Sequence, residues 1–172
     1  IFDEVQTGFG RTGRMFACQH SGVVPDLMAV AKSIAGGLPM GACLIGTHLG
    51  DLRPMTHGTT FGGNPLTSAA AVAAIRALLD DHLPERAARL GAWFKDRLSA
   101  IESPTIREVR GLGLMIGIDL RVKVTPILRD LQARGVLALP AGSTVLRLLP
   151  PLVIEENDLE QVATAIAGVL AR

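Results

Sequence analysis

Lys32 closes the apolar run Leu27-Met-Ala-Val-Ala31 and is one of only three lysines among the 17 basic residues of this 172-residue chain. A lysine in such surroundings loses hydration of its ammonium, which lowers its pKa and leaves an amine able to attack a carbonyl. The competing reading is a stem laid on apolar surface with its charge kept in water, which suits Lys95 and Lys123. Asp3 offers a carboxylate at the carboxyl end of a strand, where open α/β sheets hold ligands. A turn or helix-capping aspartate is the alternative there. His57-Gly-Thr-Thr-Phe-Gly-Gly-Asn64 runs into a helix start, so its amides and the hydroxyls of Thr59 and Thr60 can cradle a phosphate or carboxylate. Arg147 lies inside the apolar segment Val145-Leu-Arg-Leu-Leu149. A guanidinium in that setting needs an anion, either a structural carboxylate or one from a substrate gripped bidentately.

A strand-end acid, a desolvated amine, an anion cradle and a buried guanidinium together match the needs of pyridoxal 5'-phosphate acting on an amino acid. The aldehyde takes an amine to form a Schiff base, the phosphate takes amides and hydroxyls, and the ring nitrogen takes an anion. The substrate carboxylate takes the arginine.

Positioning these groups requires alternating strands and helices. Ile1-Phe2 reads as the end of a strand, followed by a loop broken at Gly8, Gly10 and Gly13. Residues 27–32 read as a second strand or short buried element and 41–46 as a short buried strand. Asn64-Pro65 then starts an alanine-rich helix to Asp80. A helix from Pro84 repeats Ala87, Leu90, Phe94, Leu98 and Ile101 at three- and four-residue spacing. Strands are expected at 106–109, 113–120, 136–139 and 145–149, with one helix from Thr125 to about Arg134 and a last one from about Asn157. The pattern divides into residues 1–83, part of a parallel-sheet α/β domain, and a compact α/β unit at 84–172.

Composition removes other classes of function. Seventeen basic against 16 acidic residues leave a net charge of +1, too weak a field for nucleic acid or an anionic membrane. No apolar run approaches the roughly 20 residues of a membrane span, and no basic leader is read. Cys18 and Cys43 form no disulfide framework, and Cys18-Gln19-His20 lacks further ligands, so no metal site is expected. A cytoplasmic chain is the expectation. Hydrophobic residues make up 48%, and 19 glycines bring the apolar share to about 59%, above the usual 45–50% or so. A subunit interface, or the rest of a larger protein, would absorb that excess. The opening Ile1-Phe2, directly into a strand end, reads as a C-terminal fragment of a longer chain.

The segment Ile1-Phe-Asp-Glu-Val-Gln-Thr-Gly-Phe-Gly-Arg-Thr-Gly13 resembles the cofactor-ring segment of class III (ornithine-type) aminotransferases. Ala31-Lys32 with Gly36-Gly-Leu-Pro-Met-Gly41 resembles that family's lysine segment, and His57 to Leu66 its phosphate loop. Val109-Arg-Gly-Leu-Gly-Leu-Met115 and Leu146-Arg-Leu-Leu-Pro-Pro-Leu152 resemble its C-terminal domain. The motifs stand in family order along the whole chain. The resemblance implies a fold-type I pyridoxal-phosphate-dependent transferase, here the C-terminal part of the large domain plus the small α/β domain.

By the same resemblance, Asp3, Glu4, Val5 and Gln6 form a cofactor-binding segment, with Asp3 on the ring nitrogen and Gln6 near the ring hydroxyl. Lys32 is the catalytic lysine. Thr60 binds the phosphate across the interface of a homodimer with shared active sites, Thr59 touches substrate, and Arg147 holds the α-carboxylate of glutamate or 2-oxoglutarate. The motifs lean toward members that move a terminal amino group of an N-blocked basic amino acid, either acetylated or linked to an amino-group carrier protein. Other ω-aminotransferases of the family, and a truncated chain inactive on its own, are the alternatives.

Overall fold

The computed structural model describes residues 1–50 and 52–171. Arg172, the last residue of the second expected unit, lies outside them. Chain contacts divide at Pro84 into Ile1–Pro84 and the residues from Glu85 onward.

The described residues of the first unit form a three-stranded sheet and two α-helices. Strand β1 (Phe2–Asp3) pairs in parallel with β2 (Leu27–Ala31), and β2 pairs antiparallel with β3 (Gly41–Ile45), giving the order β1-β2-β3. Only nine residues separate β2 from β3, too few for the crossover a parallel return needs. Between β1 and β2 lies a short helix α1 (Cys18–Ser21), which no periodicity announces. Helix α2 (Pro65–Asp80) starts where Asn64 accepts from the Thr67 amide at 3.0 Å, with proline in the first turn where its missing N–H costs nothing.

The expected burial of residues 41–46 is not met. Every residue of β3 is exposed, and β3 is the edge strand of the described sheet. Apolar composition identifies a strand that suits burial; the layer that would bury it has to come from elsewhere in the molecule.

The second unit carries a closed core. Helix α3 (Leu83–Ser99) buries Ala87, Leu90, Phe94 and Leu98, as the three- and four-residue spacing requires. Strands β4 (Ile106–Leu112) and β5 (Met115–Leu120) form a hairpin turning at Gly113-Leu114. Helix α4 (Val124–Ala133) leads to β6 (Leu139–Ala141) and β7 (Val145–Leu148), and α5 (Glu156–Leu170) closes the unit. The sheet is wholly antiparallel, ordered β4-β5-β7-β6. One face, with Ile116, Ile118, Leu120, Leu146 and Leu148, packs with Phe94, Leu131, Leu159 and Ile166 from the helices.

A glycine on each side permits the closest approach in this unit. A Cβ on Gly91 of α3 would sit well inside van der Waals contact with the backbone of Gly113.

Candidate active site

The parallel pairing of β1 and β2 brings the acid and the amine to one end of the sheet. Asp3 stands level with Ala29, so the strand ends of Asp3 and Lys32 are neighbours. Lys32 lies three positions beyond Ala29, roughly 10 Å along the strand direction at ~3.3 Å per residue. Strand β2 stops at Ala31, and Lys32 opens a 3-10 turn, Lys32–Ala35, with φ at +52°. This left-handed conformation is costly for a side chain with a Cβ, and such outliers gather at functional sites. Ile34 and Ala35 of the turn are buried, and α2 packs against it, so the turn has a firm base. Lys32 itself is exposed. The desolvated lysine expected from the apolar run is therefore not found: the run buries Met28 and Val30, and the chain turns outward before Lys32.

The segment from Asp3 to Gln6 divides its labour. The exposed Asp3 carboxylate accepts from the Val5 amide through Oδ1 at 2.9 Å, which fixes its orientation. Glu4 points the other way and is only 3% exposed. Its Oε1 accepts from the Cys18 amide at 2.8 Å, and its Oε2 accepts from the Ala17 amide at 3.1 Å and from the Thr7 hydroxyl. The Glu4 carboxylate is thus engaged with the loop that follows β1. Val5 and Gln6 are half-buried at the start of that loop. Burial pushes the Arg11 guanidinium down from its ordinary value. It also pushes the Cys18 thiol up, helped by the Glu4 charge beside it.

The glycine-rich loop folds over the segment that follows the lysine turn. Thr59, Phe61, Gly62 and Gly63 line a cavity of about 330 Å³ with Pro39, Met40 and Gly41. Thr60 is exposed on the same loop. Asn64 holds the loop's end through Nδ2, which donates to the Phe61 carbonyl at 3.0 Å.

In the second unit, strand alternation turns Leu146 and Leu148 into the core and leaves Arg147 half-buried on the opposite face. Its cross-strand neighbours are Gly117 on β5 and Leu139 on β6. Arg147 also lines a cavity of about 250 Å³ with Leu137, Leu149, Pro150 and Ile154. A guanidinium beside apolar walls suits a carboxylate.

These groups fit pyridoxal phosphate. An oriented carboxylate and a primary amine stand at the ends of adjacent strands, the groups that the ring nitrogen and the aldehyde need. A loop of small residues and hydroxyls supplies a second, anion-compatible element. Among the described residues no group of three or more His, Cys, Asp or Glu side chains could hold a metal ion, and no helix is long and apolar enough to cross a membrane.

Residues 1–170 match the aminotransferase class-III family. The chain belongs to that family. It is 52% identical over 172 residues to a [LysW]-aminoadipate semialdehyde transaminase of Deinococcus radiodurans, covering 99% of this chain and 40% of that protein. It is 43% identical to an acetylornithine aminotransferase of Methanothermobacter thermautotrophicus, covering 99% of this chain and 45% of that protein. Among solved structures, an ornithine aminotransferase from Toxoplasma gondii superposes with a TM-score of 0.91 at 37% identity, over 98% of this chain and 42% of the other. The fold is that of the pyridoxal-phosphate-dependent aminotransferases, and this class-III chain spans less than half the length of these relatives.

Two features of this class-III chain escape reasoning from sequence. Nothing in the spacing of Glu4, Ala17 and Cys18 announces that they meet, because the 12 irregular residues 5–16 lie between Glu4 and Ala17. Asn64 reads as a helix cap, but its second bond, back to Phe61, requires the loop's path.

Proposed function

We propose that this chain is the C-terminal part of an aminotransferase that moves a terminal amino group between an N-blocked basic amino acid and 2-oxoglutarate. The observation that carries the reading is the placing of Asp3 and Lys32 at the carboxyl ends of adjacent parallel strands. When bound, pyridoxal phosphate supplies an aldehyde and a ring that withdraws electrons from the amine-bearing carbon. Asp3 would hold a proton on the ring nitrogen. Lys32 Nζ would be the amine that binds the aldehyde and, once the donor amine has displaced it, the general base for the donor's amine-bearing carbon. Thr60 and the amides of its loop would bind the phosphate across the interface, in the partner subunit's site, where Thr59 would contact substrate, and Arg147 would orient the carboxylate of glutamate or 2-oxoglutarate. Val5 and Gln6 line the ring.

The domain reading goes with this proposal: residues 1–83 belong to the large domain and 84–172 form the small one. Among the described residues, thirteen of the eighteen exposed large hydrophobics lie before Pro84, which supports a homodimer sharing its active sites through that surface. The similarity to a protein named for a [LysW]-linked substrate supports an amino-group carrier protein as the partner that presents the donor, with acetylornithine as the free alternative. A biosynthetic role in lysine or arginine formation, in the cytoplasm, goes with either.

Borohydride trapping of the full-length protein with pyridoxal phosphate, followed by peptide mass mapping, tests the site. Selective labelling of Lys32 with Lys95 and Lys123 unmodified is the expected outcome. Equal labelling of all three refutes the assignment of Lys32. Assays with acetylated and carrier-linked donors then decide the substrate, and inactivity toward both refutes the N-blocked class.

A further inference from the structure

Among the described residues of the first unit, Glu4 is the one charged side chain that is buried, and the mechanism above gives it no task. Every polar group it owns is nonetheless used. Its amide donates to the Ala29 carbonyl on β2 at 2.9 Å, and its carbonyl accepts from the Gly8 amide at 3.0 Å. Its carboxylate takes the amides of Ala17 and Cys18 and the hydroxyl of Thr7. A Cβ on Gly8 would approach the Glu4 carbonyl to 2.9 Å, so this turn closes only around glycine. A buried carboxylate costs several kcal/mol unless it is fully hydrogen-bonded, and here the donors come from both ends of one loop.

The consequence falls on the neighbouring acid. Asp3 owes its orientation to the Val5 amide, and Val5 lies in the turn that Glu4 pins at both ends. Ala29, which anchors the Glu4 amide, is also the register partner of Asp3.

We infer that Glu4 is a positioning residue: its buried carboxylate knots the loop of residues 4–18 and so fixes the Asp3 carboxylate toward the cofactor, without touching the cofactor itself. This inference rests on the reading of Asp3 given above. Cys18 is a built-in reporter of the knot, since its amide binds Glu4 and the Glu4 charge helps hold its thiol protonated.

The test uses the full-length protein loaded with pyridoxal phosphate and four variants: Glu4→Gln, Thr7→Val, Asp3→Asn and the exposed control Glu102→Gln. Three quantities are read. These are the alkylation rate of Cys18 resolved from Cys43 by peptide mapping, the cofactor dissociation constant, and the pH titration of the cofactor's visible absorbance. Glu4→Gln removes the charge and sets an amide nitrogen against backbone N–H donors. It is expected to speed Cys18 alkylation, weaken cofactor binding about tenfold, the equivalent of one charge-assisted hydrogen bond, and shift the absorbance titration in the same direction as Asp3→Asn. Thr7→Val removes one of the three donors without touching the charge and should move the same quantities less. It decides the matter if Glu4→Gln does not fold.

If Asp3→Asn shifts the titration while the Glu4 and Thr7 variants behave like Glu102→Gln, the positioning role is overturned and the reading of Asp3 stands. Faster Cys18 alkylation with unchanged cofactor binding and titration also overturns it, because the knot would then exist without governing Asp3. If Asp3→Asn itself leaves the titration unchanged, the reading of the site falls and this inference falls with it.

Discussion

Replacing Asn64 separates two tasks that one side chain performs at the end of the glycine-rich loop. Its Oδ1 caps α2 through the Thr67 amide at 3.0 Å, and its Nδ2 ties back to the Phe61 carbonyl at 3.0 Å. Alanine removes both bonds. Aspartate caps a helix as well as asparagine, but sets an oxygen against the Phe61 carbonyl and so deletes only the tie. Loss of the cap costs about 1 kcal/mol, and loss of the water-accessible tie adds about 0.5 kcal/mol. Asn64→Ala should therefore destabilise the first turn of α2 by about 1.5 kcal/mol, which makes local opening roughly tenfold more frequent.

Thr67 is buried, so hydrogen exchange at its amide reads that opening directly. Exchange is expected to be roughly tenfold faster in Asn64→Ala and little changed in Asn64→Asp, while both variants bind pyridoxal phosphate more weakly because the loop bearing Thr59 and Thr60 is loosened. Fluorescence titration of the full-length protein measures the second effect. An unchanged Thr67 exchange rate in Asn64→Ala would refute the cap. Wild-type cofactor affinity in Asn64→Asp would show that the Phe61 tie does not hold the loop.

Two further changes test the second unit. Gly91→Ala gains about 1 kcal/mol of helix preference, yet its new methyl must displace the Gly113 backbone, an overpacking cost of about 1–3 kcal/mol. The expected result is a lower Tm, and a rise in Tm would refute the close approach of α3 to the hairpin turn. Arg97 grips both oxygens of Glu160, with Nε donating at 3.0 and 2.9 Å and a second guanidinium nitrogen at 2.7 Å. That hydrogen bonding holds the Glu160 carboxyl below its ordinary range. The pair's contribution is therefore complete above the unfolded carboxylate pKa and lost as pH falls through the lower folded value. Urea unfolding should show the stability gap between wild type and Glu160→Gln constant near neutrality and shrinking below about pH 4. A gap independent of pH would refute the pairing.

Much of the second unit is legible in the sequence because its core is made by its own helices and strands. The spacing of Leu90, Phe94 and Leu98, and of Leu159, Ala163 and Ile166, names the faces that are found buried together. Lys32 and β3 fail for a shared reason. Local pattern tells which side of an element is apolar, whereas burial needs a second layer, and among the described residues β3 and Lys32 stay exposed. Arg147 is intermediate: alternation along β7 places it opposite Leu146 and Leu148, so it is half-buried where its apolar neighbours in sequence suggested full burial.

Asp3 and Glu4 show where reading residue by residue stops. They are adjacent acids with the same chemistry, and as a pair they look like one cofactor-binding segment. Neighbouring side chains of an extended chain point to opposite sides, so one acid faces outward and the other into the fold. Which is which depends on the chain's return at Ala17 and Cys18, whose amides reach Glu4 and leave Asp3 exposed. The donors that fold back onto a carboxylate therefore separate the buried acid from the exposed one, and those donors come from a loop with no periodicity to read.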